Sequence, residues 1–359
     1  MSARYRVPRR AIVPTALVLA LVLALSSIVA AIATTLTQIS SDPFTNTTSQ
    51  HQTQVEPDTF SNGSTIVATF QQGRFTDGGS SDIGFATSQD GGTTWTHGNL
   101  PGTTTFVGGT LARISDPSVA FDASHNTWLI SGLGLNSSLT GVSVTVNRST
   151  DGGLTWANAT NVATVTTGQS FDKEWITCDS TATSPFYGHC YVEWDDNGHG
   201  NTIKMSTSTD GGLTWGAALQ TANNATGIGG QPVVQPSGTV VVPMASASEN
   251  AMLAFVSTNG GTSWGSTVTV SSPVKTHAAG GGLRSGALPS AAIDGAGKVY
   301  LVWEDCRFET SCSANDIVMT KSSTGSTWSA VTRIPIDAVA SGVDHFIPGI
   351  DADKATSGS

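Results

Sequence analysis

The sequence has few charged residues, and basic residues are the scarcer kind. Only 12% of its 359 residues are charged, with 16 Lys+Arg against 26 Asp+Glu. Phosphate contacts need clustered positive charge, so this balance excludes a basic nucleic-acid binder. Long stretches of helix formers with charged faces are also scarce, which disfavours coiled coils and helical bundles. Forty glycines and 38% hydrophobic residues instead allow a large core and disfavour intrinsic disorder.

The N-terminal segment concentrates positive charge ahead of a long apolar run. Four arginines within the first ten residues precede 23 uncharged positions, 11–33. This is the layout of an export signal or a signal anchor. The Ala-Ile-Ala at 31–33 fits a cleavage site, whereas 23 residues also suffice to span a bilayer, so cleavage is favoured and anchoring stays open. We therefore assign residues 1–36 to a signal peptide or signal anchor and expect an exported, extracellular or cell-surface protein.

Only four cysteines occur, and their spacing is local. Cys178 and Cys190 flank a short turn, and Cys306 and Cys312 are six residues apart. An oxidising compartment would allow two local disulfides, with buried free thiols as the alternative for the first pair. There is no C-x-x-C motif, and the intervening residues lack the His and Cys ligands that zinc needs. Neither a metal site nor a cofactor is expected.

An eight-residue motif recurs through the rest of the chain. Three copies have the form Ser-x-Asp-x-Gly-x-Thr-Trp, a fourth has Asn for Asp and Ser for Thr, and a worn fifth ends at Trp328. The acidic or amide residue and the tryptophan of the four good copies are Asp90 and Trp95, Asp151 and Trp156, Asp210 and Trp215, and Asn259 and Trp264. Successive tryptophans are 61, 59, 49 and 64 residues apart. A period of this length fits a four-stranded sheet with its loops and predicts stacked or radial units.

Each copy has the chemistry of a tight hairpin turn. The Asp or Asn side chain accepts hydrogen bonds from turn amides, the glycines take positive-φ positions, and the Trp packs between sheets. Runs rich in β-branched and aromatic residues lie between the copies, as in strands. We predict an all-β fold, a six-bladed β-propeller of four-stranded antiparallel blades that occupies residues 55–359. The blades are expected to start near residues 55, 116, 172, 230, 287 and 344.

The two ends of this region are expected to be irregular. Far fewer residues follow position 344 than one repeat period requires, so the sixth blade is predicted to be incomplete. The chain is then either a fragment or an open ring. Residues 37–54 are interpreted as a polar linker or as a strand that closes the ring.

The four good copies resemble the Asp boxes, also called BNR repeats, of the sialidase superfamily. The resemblance covers residues 55–359 and implies the propeller fold, although Asp boxes also occur in propellers without glycosidase chemistry. In sialidases, arginines hold the substrate carboxylate, an Asp serves as acid/base and a Tyr paired with a Glu is the nucleophile. Guanidinium groups suit this task because they bind carboxylates in a bidentate manner.

Three arginines fit the cluster that the resemblance implies. Arg74, with Asp77 after it, resembles the stretch that carries a binding arginine and the acid/base Asp. Arg307, just after Asp305, repeats that layout, and Arg284 lies in a glycine-rich connection before the fifth blade. We therefore predict Asp77 as a catalytic acid and Arg74, Arg284, Arg307 and Asp305 as substrate-binding residues.

Strand direction supplies the remaining candidates. Residues just before strand one and just after strand two of each blade should converge on the face away from the Asp boxes. The first set aligns as Glu56, Asp116, Lys173, Gln231, Leu288 and Ile347. From these positions we predict Asp116 as a binding residue and Glu193 as a second catalytic or binding acid. The Phe/Tyr-Arg-Ile-Pro motif of sialidases is absent at residues 55–58, which are Val-Glu-Pro-Asp, and no tyrosine is assigned as nucleophile.

Two functions of different classes follow. A secreted sialidase-like glycoside hydrolase, acting on terminal sialic acid or a related acidic sugar, predicts that the three arginines meet around one carboxylate. A non-catalytic cell-surface propeller that binds carbohydrate or protein predicts an acidic face without an arginine cluster. The expected partner is a glycan or glycoconjugate and no nucleic acid, with membrane contact only through an uncleaved N-terminal segment.

Overall fold

β-strands form almost all regular structure in the computed structural model, which describes residues 36–354. The apolar run at 11–33 lies outside these residues. The described part contains 20 strands and four short 3₁₀ segments, Thr105–Val107, Asn197–His199, Gly280–Gly282 and Thr310–Cys312. No helix within 36–354 is long and apolar enough to span a bilayer. The predicted all-β class is confirmed.

The strands group into five repeats along the chain. Repeat 1 has β1 (Val55–Asn62), β2 (Thr65–Arg74), β3 (Ser80–Ser88) and β4 (Thr96–Asn99). Repeat 2 has β5 (Arg113–Asp122), β6 (Thr127–Leu135), β7 (Gly141–Ser149) and β8 (Thr160–Thr164). Repeat 3 has β9 (Phe171–Cys178), β10 (Cys190–Asp196) and β11 (Thr202–Ser208). Repeat 4 has β12 (Gly227–Ile228), β13 (Val233–Val234), β14 (Val240–Ser246), β15 (Met252–Ser257) and β16 (Val268–Ser271), and repeat 5 has β17 (Ser290–Ile293), β18 (Val299–Asp305), β19 (Asp316–Ser322) and β20 (Thr332–Arg333).

Strands within a repeat pair with their neighbours in chain order and antiparallel. Repeats 1 and 2 are linked into one eight-stranded sheet by a single pair, Ser80 with Ile114. In repeat 3 the fourth strand is reduced to an isolated bridge between Met205 and Leu219. In repeat 4 the first strand is split into β12 and β13, both paired with β14. The second strands β6, β10 and β14 are buried almost throughout, and in β10 the buried residues include the acids Glu193, Asp195 and Asp196.

The predicted sixth repeat has no strand in the described residues 344–354. The Ile350 N–H nevertheless donates to Ser290 Oγ of repeat 5 at 3.3 Å. Lys354 Nζ lies 5.0 Å from the ring centroid of Phe60 in repeat 1. These C-terminal residues therefore contact both the last and the first repeat. Within residues 37–54, the predicted linker or closing strand, Gln50 forms an isolated antiparallel bridge with Arg74 of β2.

Hydrophobic clusters fill the spaces between consecutive repeats. Trp128 belongs to the cluster between repeats 1 and 2, and Trp194 to the cluster between repeats 2 and 3. Trp264 and Trp303 lie in the clusters that follow along the chain. A single antiparallel sheet of this size cannot bury its own apolar face, so each repeat depends on its neighbours for a core.

The Asp boxes form the predicted turns. In the second copy, Asp151 Oδ1 accepts the N–H groups of Leu154 and Thr155, each at 3.0 Å, and Oδ2 accepts the Thr155 hydroxyl. Burial opposes ionisation, but these bonds and one from Ser149 outweigh it and lower the pKa of Asp151 to about 2. Equivalent bonds occur at Asp90, Asp210 and Asn259.

Each later Asp box also contacts the repeat before it, and we call these contacts the inter-repeat clamps. A side chain of the preceding repeat lies within hydrogen-bond distance of a glycine carbonyl in the box: Thr87 with Gly153, Arg148 with Gly211 and His189 with Gly260. In the fifth box, a Cβ on Gly325 would lie 2.7 Å from Val241 of repeat 4. The turns therefore fasten neighbouring repeats as well as closing their own hairpins.

Both predicted disulfides are present. Cys178 and Cys190 join β9 to β10 at directly paired positions, 12 residues apart. Cys306 and Cys312 close the loop after β18.

Removal of the first disulfide is expected to lower the free energy of unfolding. A crosslink that closes a loop of this length stabilises a fold by about 3 kcal/mol, mainly through the unfolded state. We expect the double variant Cys178→Ala, Cys190→Ala to unfold at a lower temperature than the parent protein in thermal melts. Reductant should lower the midpoint of the parent and change the variant less. Equal melting of parent and variant without reductant would contradict this.

Candidate functional site

A cavity lies where the first strands of the repeats begin, and we call it the axial cavity. Its volume is about 200 Å³. Each of the five repeats contributes at least one residue to its lining, namely Glu56, Asp116, Lys173, Gln231 and Leu288. These are five of the six aligned positions expected just before strand one, so the structure brings these five together. Glu56, Asp116 and Lys173 lie within the first strands β1, β5 and β9, near their beginnings.

The backbone at three of these positions is unusual. Glu56, Asp116 and Lys173 have φ values of 53°, 50° and 53°, in the left-handed region that non-glycine residues seldom occupy. In repeats 1 and 2 this coincides with a break in the pairing register with strand two. A bulge of this kind redirects a side chain, and strained backbone concentrates at functional sites. Ile347, the aligned residue after repeat 5, has the same conformation, with φ of 53°.

Glu56 and Asp116 form an interacting carboxyl pair at the cavity. Burial, reinforced by the Asp116 charge, raises the pKa of Glu56. Burial alone would also raise the pKa of Asp116, but the Lys173 ammonium and a hydrogen bond from the Ser115 hydroxyl outweigh it, so this pKa is lowered. Lys173 Nζ lies 3.4 Å from Asp116 Oδ2. The environment therefore favours the protonated form at Glu56 more than at Asp116.

A second group of acids lies deeper in repeat 3. Burial, reinforced by Asp195, raises the pKa of Glu193 well above its usual range, and neither carboxyl oxygen has a partner in the described residues. A Cβ on Gly230, which lines the axial cavity, would lie 2.6 Å from Glu193 Cδ. Glu193 therefore lies directly beneath the cavity wall. Burial, followed by the charge of Asp172, raises the pKa of Asp195 to about 8.

Asp195 is expected to make stability depend on pH. Its pKa rises from 3.8 in the unfolded chain to about 8 in the folded one, so the folded state retains a proton that the unfolded state releases. The contribution of Asp195 to stability is therefore lost as pH rises from about 4 to about 8. We expect Asp195→Asn, which can still accept from Asn201 Nδ2, to melt at a higher temperature than the parent at pH 8 and at a similar one near pH 4. A destabilised variant at pH 8 would contradict this.

The predicted acid Asp77 lies in a different environment. It is exposed, and Arg113 Nη1 lies 2.6 Å from its Oδ1. The Arg113 hydrogen bond lowers the pKa of Asp77. A carboxylate held ionised in this way is a poor proton donor, so the geometry disfavours Asp77 as the general acid.

The three predicted arginines have different partners. Arg74 Nη1 donates to the Gly79 carbonyl at 2.8 Å. Arg307 Nη2 donates to Asp305 Oδ2 within its own repeat and to Ser271 Oγ at 2.9 Å. Arg284 is exposed, and its charge acts on Asp172 and on Lys173. Of the three, Arg284 is thus the one that bears on residues of the axial cavity.

The predicted and observed sites overlap in part. Asp116 lies in the axial cavity, Glu193 lies behind its wall, and Asp305 is engaged by Arg307. The pairing of Glu56 with Asp116 and Lys173 was not predicted, although the alignment ahead of strand one contains all three residues. No group of three or more His, Cys, Asp or Glu side chains within residues 36–354 has an arrangement that could hold a metal ion.

Antiparallel repeats with Asp-box turns and a cavity at the starts of their first strands define a propeller-like repeat protein. The chain belongs to the family of BNR repeat-like domains, whose model matches residues 134–348. The predicted resemblance to BNR-repeat proteins of the sialidase superfamily is confirmed. No curated protein matches the sequence.

Solved structures with this fold include several enzymes that act on carbohydrates. An α-L-arabinanase from Penicillium chrysogenum, complexed with arabinobiose, has 13% identity and a TM-score of 0.53, with 86% of each chain covered. The Hadza microbial sialidase Hz136 has 17% identity and a TM-score of 0.51; 77% of the present chain is covered, but only 57% of that sialidase. The leech intramolecular trans-sialidase has 12% identity and a TM-score of 0.50, with 84% of this chain and 70% of that one covered. At these identities, the likeness shows a common fold.

Proposed function

We propose that the protein is a glycoside hydrolase whose active site is the axial cavity. The observation that carries this proposal is the carboxyl pair, in which the environment raises the pKa of Glu56 and lowers that of Asp116. Glycosidic cleavage needs one carboxylic acid of the enzyme to protonate the leaving oxygen. It also needs one ionised carboxylate of the enzyme that acts at the sugar ring. Two acids with pKa values driven apart are the usual solution to this requirement.

In this proposal Glu56 is the general acid and Asp116 the carboxylate. Lys173 keeps Asp116 ionised because its ammonium group lies 3.4 Å from Asp116 Oδ2. A glycosidic oxygen beside Glu56 would take its proton and leave as an alcohol when the bond to the sugar breaks, while the negative charge of Asp116 would stabilise the positive charge that develops on the ring. Water would then add to that carbon and return a proton to Glu56. A cavity of about 200 Å³ is smaller than most ligand pockets, which suits one terminal sugar unit rather than an extended chain.

We further propose that the terminal sugar is acidic, with sialic acid as the first candidate. A substrate carboxylate needs a cation near the cavity, and both Lys173 and Arg284 are placed to supply one. This assignment differs from a three-arginine cluster, because Arg74 is bound to the Gly79 carbonyl and Arg307 to Asp305 and Ser271. The two disulfides fit an exported enzyme that meets its glycan outside the cell.

A non-catalytic binding module is the second candidate. The observation that favours it is the absence of a shared partner for Arg74, Arg284 and Arg307 in the described residues. Such a module would bind a glycan at the axial cavity without turnover.

Hydrolysis of fluorogenic glycosides separates these candidates. We expect the parent protein to release 4-methylumbelliferone from its α-sialoside faster than from the α-L-arabinofuranoside or the β-galactoside. Lys173→Met should reduce kcat/KM for the sialoside by about a hundredfold, since it removes the cation beside Asp116. Arg307→Ala should stay within about twofold of the parent. Faster hydrolysis of a neutral glycoside would refute the acidic-sugar assignment, and binding of sialyllactose without release from any glycoside would favour the binding module.

A further inference from the structure

We propose that the protein has a second carbohydrate site, a cleft between repeats 2 and 3 that binds an acidic sugar unit. The cleft has a volume of about 470 Å³, within the range of small-molecule sites. Its walls are the outer strand β8, the beginning of β9, and the side chains of Trp194, Lys204 and Trp215. We call it the Trp cleft; none of its lining residues belongs to the axial cavity.

Among the five Asp-box tryptophans, Trp215 and Trp264 lack the indole hydrogen bond that the other three make within the described residues. In the first, second and fifth boxes the indole N–H donates to a glycine carbonyl of the same turn: Trp95 to Gly92, Trp156 to Gly153 and Trp328 to Gly325, at 3.1 to 3.2 Å. The buried indole N–H of Trp215 has no partner among residues 36–354, and Trp215 lines the cleft instead. At the wall of the cleft, Trp215 thus contributes an indole N–H that has no acceptor within residues 36–354.

Trp194 provides a second donor at the same cleft. It is fully buried, and its indole N–H also lacks a partner in the described part of the chain. The pairing of β9 with β10 breaks between Glu193 and Asp195, so Trp194 occupies an irregular position in the ladder. The Phe171 ring packs edge-on against it, with centroids 5.7 Å apart. A buried indole N–H without an acceptor destabilises the fold, and a ligand oxygen that reached it would offset that cost.

The charge of the cleft selects the ligand. Lys204 is the cross-strand neighbour of Trp194, and within residues 36–354 no carboxylate lies within 4 Å of its ammonium group. No acidic residue lines the cleft, although the chain from residue 34 onward has 26 Asp+Glu against 12 Lys+Arg. The Gln169 amide is already bound to Asp196 and its carbonyl to Thr166.

The side chains of the Trp cleft thus include two indole donors without acceptors and one ammonium group, but no carboxylate. A ligand that complements it carries oxygen acceptors and negative charge, as the carboxylate or sulfate of an acidic sugar does. The apolar face of a sugar ring can pack on the Trp215 indole, whose amphipathic character suits such contacts.

Calorimetric titration with defined oligosaccharides tests this proposal. The probes are trigalacturonic acid for the carboxylate, a 6-sulfated N-acetyllactosamine for the sulfate, and galactotriose as the neutral reference. We expect at least one acidic probe to bind ten times more tightly than galactotriose and to change tryptophan fluorescence. Lys204→Ala should weaken that binding at least tenfold, and Trp215→Phe, which keeps a ring but removes the N–H, about fivefold.

Two comparisons distinguish binding at the Trp cleft from binding at the axial cavity. Binding should persist in Asp116→Asn, and Lys204→Ala should leave hydrolysis of a small methylumbelliferyl glycoside unchanged. The proposal is overturned if galactotriose binds as tightly as both acidic probes, if no probe binds, or if binding survives Lys204→Ala. It is also overturned if Asp116→Asn abolishes binding, because the ligand would then occupy the axial cavity. The thermal midpoints of the variants identify any loss of binding that is caused by unfolding. If Lys204→Ala unfolds, Lys204→Gln is used in its place.

Discussion

Asp116→Asn is expected to lower kcat/KM for the best glycoside substrate by about a thousandfold, with little change in the thermal midpoint. Asparagine has nearly the same shape as aspartate and can still accept the hydrogen bond from the Ser115 hydroxyl. The variant loses the negative charge that faces Glu56 and Lys173. Initial rates across a pH series measure both the loss and its cause.

The pH profile of the residual activity gives a more specific signature. The Asp116 charge helps to raise the pKa of Glu56, and Glu56 must be protonated to act as an acid. Removing that charge lowers the pKa of Glu56, so the basic limb of the profile should move to lower pH in Asp116→Asn. Asp77→Asn, at the acid predicted from sequence, should leave this limb in place. A thousandfold loss of kcat/KM in Asp77→Asn, with only a small loss in Asp116→Asn, would contradict this proposal and favour Asp77 as the acid/base residue.

Gly141→Ala is expected to destabilise the fold by about 3 kcal/mol or more. A Cβ at position 141 would lie 1.9 Å from the carbonyl oxygen of Phe171, and backbone cannot yield as a flexible side chain does. Gly141 begins β7 in repeat 2 and Phe171 begins β9 in repeat 3, so the clash would force the two repeats apart. Thermal and denaturant unfolding should both show the loss.

Gly280→Ala is the matched control for this effect. A Cβ there would meet no atom within 4 Å, and Gly280 does not occupy the left-handed region. Its free energy of unfolding should stay within about 0.5 kcal/mol of the parent. If Gly141→Ala melts like Gly280→Ala, the junction between repeats 2 and 3 is looser than the structure indicates.

The Asp boxes explain why so much of the fold could be predicted. Asp151 and its neighbours form bonds within eight residues, so the motif, its spacing and the antiparallel repeats follow from local sequence. The number of repeats that contain strands could not be predicted from local sequence in the same way. Residues 344–354 begin like a repeat, with Ile347 in the conformation of Glu56, but they contact repeats 1 and 5 without forming a strand. Strand formation there depends on partners distant in the chain.

The candidate site was predictable in position but not in pairing. Alignment of the repeats placed Asp116 and Glu56 on one face, as residues expected just before strand one, and the structure has them near the beginnings of β5 and β1. Whether two such carboxyl groups interact depends on bulges that turn them inward, and the register break at 115–118 has no short sequence signal. The arginines are the opposite case, because their sequence pattern fits the family but their hydrogen-bond partners differ from the predicted ones. Arg307 follows a family-like pattern, yet Asp305, two residues earlier, binds it.

The inter-repeat clamps have a consequence for how the chain is made. A ribosome releases the repeats in order, and each Asp box joins the repeat that left before it, as Gly153 joins Thr87 and Gly211 joins Arg148. One side of a newly released repeat therefore lacks its packing partner until the Asp box of the next repeat has been synthesised. With nearest-neighbour coupling of this kind, synthesis from the N-terminus lets each repeat assemble on the one released before it. Pausing of translation just before an Asp box would leave the preceding repeat exposed longest to proteases and to aggregation.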